Sequence, residues 1–246
     1  MTGLPRLTFM QLKLFLREPG AVFFAIAFPA LLVAILGSIP GFREPKQYLG
    51  GLRVIDLYVP IAIAFVLVML SLNLLPAALA TYRERGILRR LATTPVGPIT
   101  LLAAQMLMTL LMAVVAVLLV LGVGRLGFDV ALPQQPVGFA LAFVLGAAAV
   151  LAMGLVLAAV APSAASAQGI GTVLFFPIMF FAGLYVPRAV MPGILRDVSD
   201  YTPLGATVQA LQDAAGGAWP HPLHLAVMAA YAVVFGLVAV RTFRWQ

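Results

Sequence analysis

Charged residues are rare along this chain, and long apolar stretches separate them. A charge at the centre of a bilayer is costly and a helix needs roughly 20 residues to cross, so each charge-free gap indicates one span or two. The gap between Asp129 and Arg188 holds 58 residues, enough for two spans with a break among the small residues 161–169. The pattern predicts six spans in all, at 20–41, 57–81, 98–122, 137–161, 169–187 and 221–241.

The first 18 residues show helical spacing but are too polar to form a span. On a helical wheel the basic side chains fall in one narrow stripe opposite an apolar face, which predicts a helix lying in the membrane interface. The stripe consists of Arg6, Lys13 and Arg17, and the apolar face of Leu4, Leu12 and Phe15. Two alternatives are a plain basic flank of the first span and a secretory signal.

Between spans five and six lies a segment that is too polar to cross a membrane and too regular for a plain loop. Pro187, Pro192 and Pro203 divide it, and apolar residues recur at helical spacing on either side of Pro203. We predict a hairpin of two short helices at 188–215 that re-enters the outer leaflet, where protein shields the helix ends. The alternative is an external loop at the membrane surface.

The composition supports a membrane protein. Hydrophobic residues make up 63% of the chain and the mean hydropathy is +1.09, whereas soluble domains are nearer half apolar. A soluble fold of 246 residues cannot hide so much apolar surface, so lipid covers part of it. We therefore predict one all-α integral membrane domain over residues 1–246. Cysteine is absent, which excludes disulfides and thiolate metal sites.

The charge balance indicates how the spans are oriented. With an even number of spans both termini lie on one side. The segments on that side carry nine Lys or Arg residues and two acids, whereas the opposite loops carry six of each. The positive-inside rule therefore predicts cytoplasmic termini. This topology explains the net charge of +7, and nucleic acid is not an expected partner.

The densest cluster of charge is TYRERGILRRLATTP, which follows the second predicted span. Ile87, Leu88 and Leu91 would share one face of a short helix, beside Arg89 and Arg90. Such a helix on the cytoplasmic side suits the groove of a soluble partner. The alternative is a charge cluster whose only role is to set the topology.

Catalytic chemistry is not expected of this chain. A phosphate-binding loop needs Gly-Lys before Ser or Thr, and the two lysines, Lys13 and Lys46, follow Leu12 and Pro45 instead. No cluster of His, Asp or Glu suggests a metal site, so no cofactor is expected in the chain itself. An ion-coupled transporter needs ionisable groups within the membrane, and the predicted spans have none apart from His224 at a margin. A passive channel would need a polar filter motif, and none is found.

Three stretches together resemble the ABC type-2 permease family, the membrane subunits of ATP-binding-cassette exporters of the drug-resistance kind. They are LREPGAVFFAIAFP, YRERGILRRLATTPVGPITLLAAQ and FFAGLYVPRAVMPGILRDVSDYTPL. The resemblance covers essentially the whole chain, including its six spans. Two places near the outer gate depart from it. The family often has Asn-Pro-Leu-Thr where this chain has Thr202-Pro203-Leu204-Gly205, and an arginine where it has Gln212.

The resemblance implies that a separate ATPase drives this chain. Residues 5–18 would be the connecting helix, 83–91 the first coupling helix and the 162–168 loop the second coupling element. The ATPase-coupling residues would be Arg83, Glu84, Arg85, Gly86, Ile87, Leu88, Arg89, Arg90, Leu91, Ser163 and Ser166. The chain would work in the bacterial cytoplasmic membrane with two ATPase subunits, which bind ATP and magnesium, and with a second permease chain, a homodimer being favoured.

The family's drug-type loop favours a small amphiphilic or lipid-like substrate, as in drug or antibiotic efflux. The alternative is a polysaccharide or teichoic-acid exporter, which has the same plan. Aromatic and methionine side chains make adaptable apolar walls, although helix packing or lipid contact explains each phenylalanine equally well. The substrate path would contain Ser71, Asn73, Thr172, Phe175, Phe176, Met179 and Phe180, and the outer gate Pro187, Pro192 and Pro203.

Overall fold

The computed structural model describes residues 3–87 and 98–242. In these ranges six helices are long and apolar enough to cross a membrane, and the β-structure consists of one isolated bridge, Pro45–Arg53. The helices are α1 (Gly3–Phe15), α2 (Pro19–Ser38), α3 (Val54–Glu84), α4 (Pro98–Phe128), α5 (Pro136–Val160), α6 (Ala164–Phe181), α7 (Gly193–Asp200), α8 (Pro203–Ala215) and α9 (Pro222–Thr242). All but α1, α7 and α8 have the length and hydropathy of a span. The predicted all-α membrane fold with six spans is confirmed.

The central helix of the bundle is α3. It packs against α2, α4, α5, α6 and α8, and 78% of its most apolar stretch is buried, against 17% for α6 and for α9. An ion pair fixes its start, because the Arg53 guanidinium donates to Asp56 Oδ1 at 2.7 Å. The same guanidinium donates to the carbonyl oxygens of Phe128 and Asp129. The first turn of α3 is therefore bound to the end of α4.

A π-helical turn, Met69–Leu74, interrupts α3. Such turns widen the helix locally and are frequent at functional sites. Two glycines approach this turn. A methyl group on Gly154 of α5 would lie 1.9 Å from the Ser71 carbonyl oxygen, and one on Gly171 of α6 would lie 2.3 Å from that of Leu72. Because both distances are far below van der Waals contact, only glycine allows α5 and α6 to come this close to α3.

The amphipathic helix α1 packs along α4. As predicted, Phe15 faces inward and the basic residues Arg6 and Lys13 face outward. The inward face also carries two polar side chains, Thr8 and Gln11, which are 7% and 6% exposed. The helical wheel therefore located the buried face, but not the polar groups on it.

The two helices of the hairpin, α7 and α8, follow α6. The side chain of Thr202 caps α8, since its Oγ1 accepts a hydrogen bond from the Gly205 backbone N–H at 3.1 Å. α8 packs against α3, α5 and α9, and its Leu204 and Leu211 are fully buried. The segment is thus a helical hairpin in which α8 is set into the bundle and α7 is mostly exposed.

The fifth spanning helix is displaced along the sequence from the range 169–187. α6 starts earlier because Ser163 caps it, accepting a hydrogen bond from the Ser166 backbone N–H at 3.0 Å. It ends at Phe181, where the chain turns through Gly183 with φ of 90°, a conformation that favours glycine.

Gly154→Ala should destabilise the bundle, because the added methyl group meets the Ser71 carbonyl oxygen and α5 must move away from α3. We expect a loss of about 1–3 kcal/mol, typical of an overpacked core, measured as a lower midpoint of thermal unfolding in detergent. The matched control is Gly122→Ala on α4, where a methyl group would have no neighbour within 4 Å. Equal effects of the two substitutions would contradict the role given to Gly154.

Candidate coupling surface and transport path

The end of α3 and the loop before α6 meet at one end of the bundle, residues 83–87 and 161–166, which we call the arginine end. The Arg83 guanidinium donates to the carbonyl oxygens of Ala158, at 3.3 Å, and of Ala161. The Glu84 carboxylate accepts a hydrogen bond from the Ala164 backbone N–H at 3.0 Å. Carbonyls at the end of a helix lack intrahelical donors, and here Arg83 supplies them for α5. The structure thus joins the two sequence segments predicted to couple.

Arg83 and Glu84 are the last residues of α3, rather than the start of a separate helix over 83–91. The chain turns at Gly86, which has φ of 65° and donates from its N–H to the Arg83 carbonyl oxygen at 3.0 Å. This is the left-handed glycine that ends many helices. Arg85 is exposed and Ile87 is half-buried. The remaining predicted coupling residues of this segment, Leu88, Arg89, Arg90 and Leu91, lie outside the described residues.

The predicted coupling residues Ser163 and Ser166 bond to each other at the start of α6. Ser163 accepts through its side chain and Ser166 donates through its backbone. The loop between α5 and α6 has only three residues, so this cap and the two bonds from α3 leave it little freedom. A force on the end of α3 would therefore reach both α5 and α6.

The residues predicted to line a substrate path divide into two groups. Ser71 is 1% exposed and Met179 is fully buried in the core between α3 and α6, so neither faces an open surface. Thr172 and Phe176 lie on the exposed face of α6, where Phe176 is 57% exposed. Asn73 lies beside them at the edge of α3.

Two further phenylalanines of the predicted path make aromatic contacts within the chain. The ring of Phe175 packs edge-to-face on that of Phe65, with centroids 5.5 Å apart. Phe180 packs in the same way on its neighbour Phe181, at 5.4 Å. The Phe175–Phe65 pair contributes to the packing of α6 on α3, whereas the contact of Phe180 is with the next residue of its own helix.

Asn73 is the polar group that stands out in the path. Its Oδ1 lies 3.4 Å from Thr172 Oγ1 on α6, whose hydroxyl donates at the shorter distance of 2.8 Å to the Gln168 carbonyl oxygen. Its Nδ2 is buried and has no hydrogen-bond partner among the described residues. Burying an unpaired amide is costly, so Asn73 holds a donor for which residues 3–87 and 98–242 provide no acceptor.

At the opposite end of the bundle, which we call the hairpin end, lies a polar cluster that we did not predict. Asp200 on α7 pairs with Arg188, and its Oδ1 lies 3.3 Å from His224 Nε2 on α9. The Arg188 guanidinium also donates to Gln209 Oε1 at 3.2 Å, and His224 Nδ1 lies 3.9 Å from a carboxylate oxygen of Asp213. The sequence shows His224 only as an isolated histidine, because no local pattern connects residues on different helices.

The hairpin explains the two departures from the family pattern. Thr202 caps α8 by the same chemistry as an asparagine. A methyl group on Gly205 would lie 2.1 Å from the Ser199 carbonyl oxygen, so the tight turn before α8 requires glycine. Gln212 takes the place of the arginine and donates to the Leu57 carbonyl oxygen at 3.4 Å. It therefore connects the hairpin to α3 without adding a charge.

The prolines predicted to form the outer gate stand where short helices begin. Pro187 precedes the 3₁₀ turn Arg188–Val190, Pro192 precedes α7, and Pro203 is the first residue of α8. A proline suits these positions because it lacks the N–H that a first turn leaves unbonded. No group of three metal-ligating side chains is found in the described parts of the chain.

This architecture defines a multi-pass membrane protein whose central helix connects a charged loop at one end to a polar hairpin at the other. The family model of the ABC-2 type transporter matches residues 5–215. The chain therefore belongs to the ABC-2 type transporter family and is a permease subunit of an ABC transporter, a kind of subunit that associates with separate ATPase subunits. No curated protein matches the chain in a sequence comparison.

Arg83→Met should loosen the arginine end, because the carbonyls of Ala158 and Ala161 lose their charged donor. Hydrogen bonds to charged groups contribute about 1.5–3 kcal/mol, so amide exchange across residues 157–166 should accelerate about tenfold, measured by hydrogen–deuterium exchange. Arg85→Met is the control, since Arg85 is exposed. Unchanged exchange in Arg83→Met would show that the guanidinium does not hold the loop.

Proposed function

We propose that this chain is the membrane subunit of an ABC exporter of small amphiphilic compounds, and that two copies form the translocation path. The observation that carries the proposal is the bonding of Arg83 and Glu84 to the loop before α6. Because these bonds join the end of α3 to the loop before α6, a docked ATPase would displace both segments together. The coupling surface continues into α3, the most buried of the six spans.

The coupling surface would lie in the cytoplasm, as the distribution of charge favours. An ATPase dimer that closes on ATP would displace the segment 83–91. Because the loop before α6 is bonded to the end of α3, the displacement would tilt α3 and α6 together. The tilt would pivot about the π-helical turn of α3. There Gly154 and Gly171 touch the backbone of α3 directly, so no flexible side chain lies between the helices to absorb the movement.

The second permease chain would pack beside α6. One face of α6 is exposed, and besides apolar residues such as Val173 it carries the polar side chains Gln168 and Thr172. Lipid tails offer polar groups no partner, so a face of this kind favours a protein neighbour or a solute path. Asn73, with its unpaired donor, lies at the edge of the same face.

Arg89→Glu combined with Arg90→Glu should uncouple ATP hydrolysis from transport while the protein still inserts. Reversing two charges at a docking surface places like charges together and costs several kcal/mol. We expect export by the purified complex in proteoliposomes to fall at least about tenfold. Arg196→Glu, an exposed charge at the hairpin end, is the control. Normal export by the double variant would exclude this loop as the ATPase contact.

Asn73→Leu should change the range of compounds that stimulate ATP turnover, because it removes the amide of α3 that borders the exposed face of α6. Loss of a hydrogen bond in a binding site corresponds to about threefold to tenfold in affinity for substrates that use it. The measurement is a compound screen against ATPase activity of the whole complex. If Asn73→Leu instead prevents permease chains from pairing, Asn73 serves packing and not substrate recognition.

A further inference from the structure

A cavity of about 70 Å³ lies between α1, α3 and α4 near the arginine end, and neither coupling nor the proposed path uses it. Its walls include the aliphatic side chains Leu70 and Leu74. Five polar residues line it, namely Gln11, Glu18, Tyr82, Gln105 and Thr109. Glu18 and the neighbouring Leu14 are exposed, so the cavity opens to the surface beside the end of α1.

The cavity contains a buried hydrogen-bond acceptor, the side-chain oxygen of Gln105, that has no donor in the described residues. Gln105 is 3% exposed, and its Oε1 has no hydrogen-bond partner among the described residues. The nearby hydroxyl groups are already committed as donors. Tyr82 donates to Gln11 Oε1 at 2.5 Å, and Thr109 donates to the Gln105 carbonyl oxygen at 2.9 Å. A buried unsatisfied carbonyl of this kind costs about 1–3 kcal/mol, which a ligand with a donor would recover.

The occupant is defined by charge as well as by hydrogen bonding. Glu18 adds a carboxylate at the mouth, so a cation with N–H donors satisfies the site, whereas an anion does not. The cavity volume exceeds several-fold the roughly 10–15 Å³ that one water needs, which leaves room for an ammonium group and the carbon attached to it. The aliphatic walls then contact the methylene groups that follow.

We propose that this cavity binds the primary ammonium group of an amphiphile, held by Gln105 Oε1 inside and by the Glu18 carboxylate at the mouth. Two sources share this chemistry: a membrane lipid with an ethanolamine headgroup, and a single-chain aliphatic amine that partitions into the membrane. Trimethylated analogues of both carry the same charge but no N–H, and therefore leave Gln105 Oε1 unsatisfied. The site does not depend on the proposed export function.

Native mass spectrometry of the full-length chain tests the proposal. In the lipid arm the chain is released from nanodiscs of equal parts phosphatidylethanolamine and phosphatidylcholine, and the lipid that stays bound is identified. In the titration arm the chain is titrated with dodecylamine or dodecyltrimethylammonium, and the bound amine is quantified. We expect retention of the primary amine over its trimethylated analogue by about tenfold, the equivalent of one hydrogen bond to a charged group. Preference in the lipid arm identifies the headgroup as the occupant, and preference in the titration arm alone identifies a free amphiphile.

Variants separate this site from general binding at the membrane surface. Gln105→Leu, which keeps the side-chain volume, should reduce the preference to less than about threefold. Glu18→Gln, which changes an exposed side chain, should weaken the retention of both forms, because both carry the positive charge. Asp197→Asn, an exposed carboxylate at the hairpin end, should leave both the preference and the retention unchanged. Equal retention of primary and trimethylated forms in both arms, a preference that survives Gln105→Leu, or retention that Glu18→Gln does not weaken would overturn the proposal.

Discussion

The structure depends on a close contact between backbones at the π-helical turn of α3. There the carbonyl oxygens of Ser71 and Leu72 lie against Gly154 of α5 and Gly171 of α6, at distances that exclude even a methyl group. Helices in lipid gain little from burying apolar side chains against each other, because lipid is equally apolar, so close packing at small residues supplies much of the attraction. The contact therefore holds α5 and α6 to α3 where the helix itself is irregular.

Polar bonds at both ends of α3 complete this arrangement. At its start the Arg53–Asp56 pair reaches the end of α4, and at its end Arg83 and Glu84 hold the loop before α6. The 31 residues of α3 make a rod of about 46 Å at 1.5 Å per residue. Because α3 is bonded to its neighbours at both ends and touches α5 and α6 between them, it can transmit a displacement from the arginine end to the hairpin end. A permease driven by an external ATPase requires such a connection.

Polar side chains buried in the bundle fall into two kinds. At the hairpin end Asp200 pairs with Arg188 and His224 across three segments of chain, although Arg188 Nε and His224 Nδ1 have no hydrogen-bond partner among the described residues; removing Asp200 would leave the Arg188 charge without its partner. Asn73 and Gln105, by contrast, are neutral amides outside any ion pair of the described residues, and Asn73 Nδ2 and Gln105 Oε1 have no hydrogen-bond partner there. An unsatisfied group inside a membrane protein is expensive to keep, and for that reason these two positions carry the proposals on transport and on amphiphile binding.

The number of spans, the interfacial helix and the helical hairpin could all be predicted from the sequence, because hydropathy and helical spacing are local properties that survive whatever the helices later contact. The loop motif likewise indicated the family before any contact was known. Only the tertiary structure decided which polar groups meet. Glu84 and Ala164 are 80 positions apart, and no local sequence pattern indicates that they form a hydrogen bond. It also decided that Ser71 and Met179 are buried and that His224 lies beside Asp200, since the direction of a side chain follows from how whole helices pack and not from its neighbours in sequence.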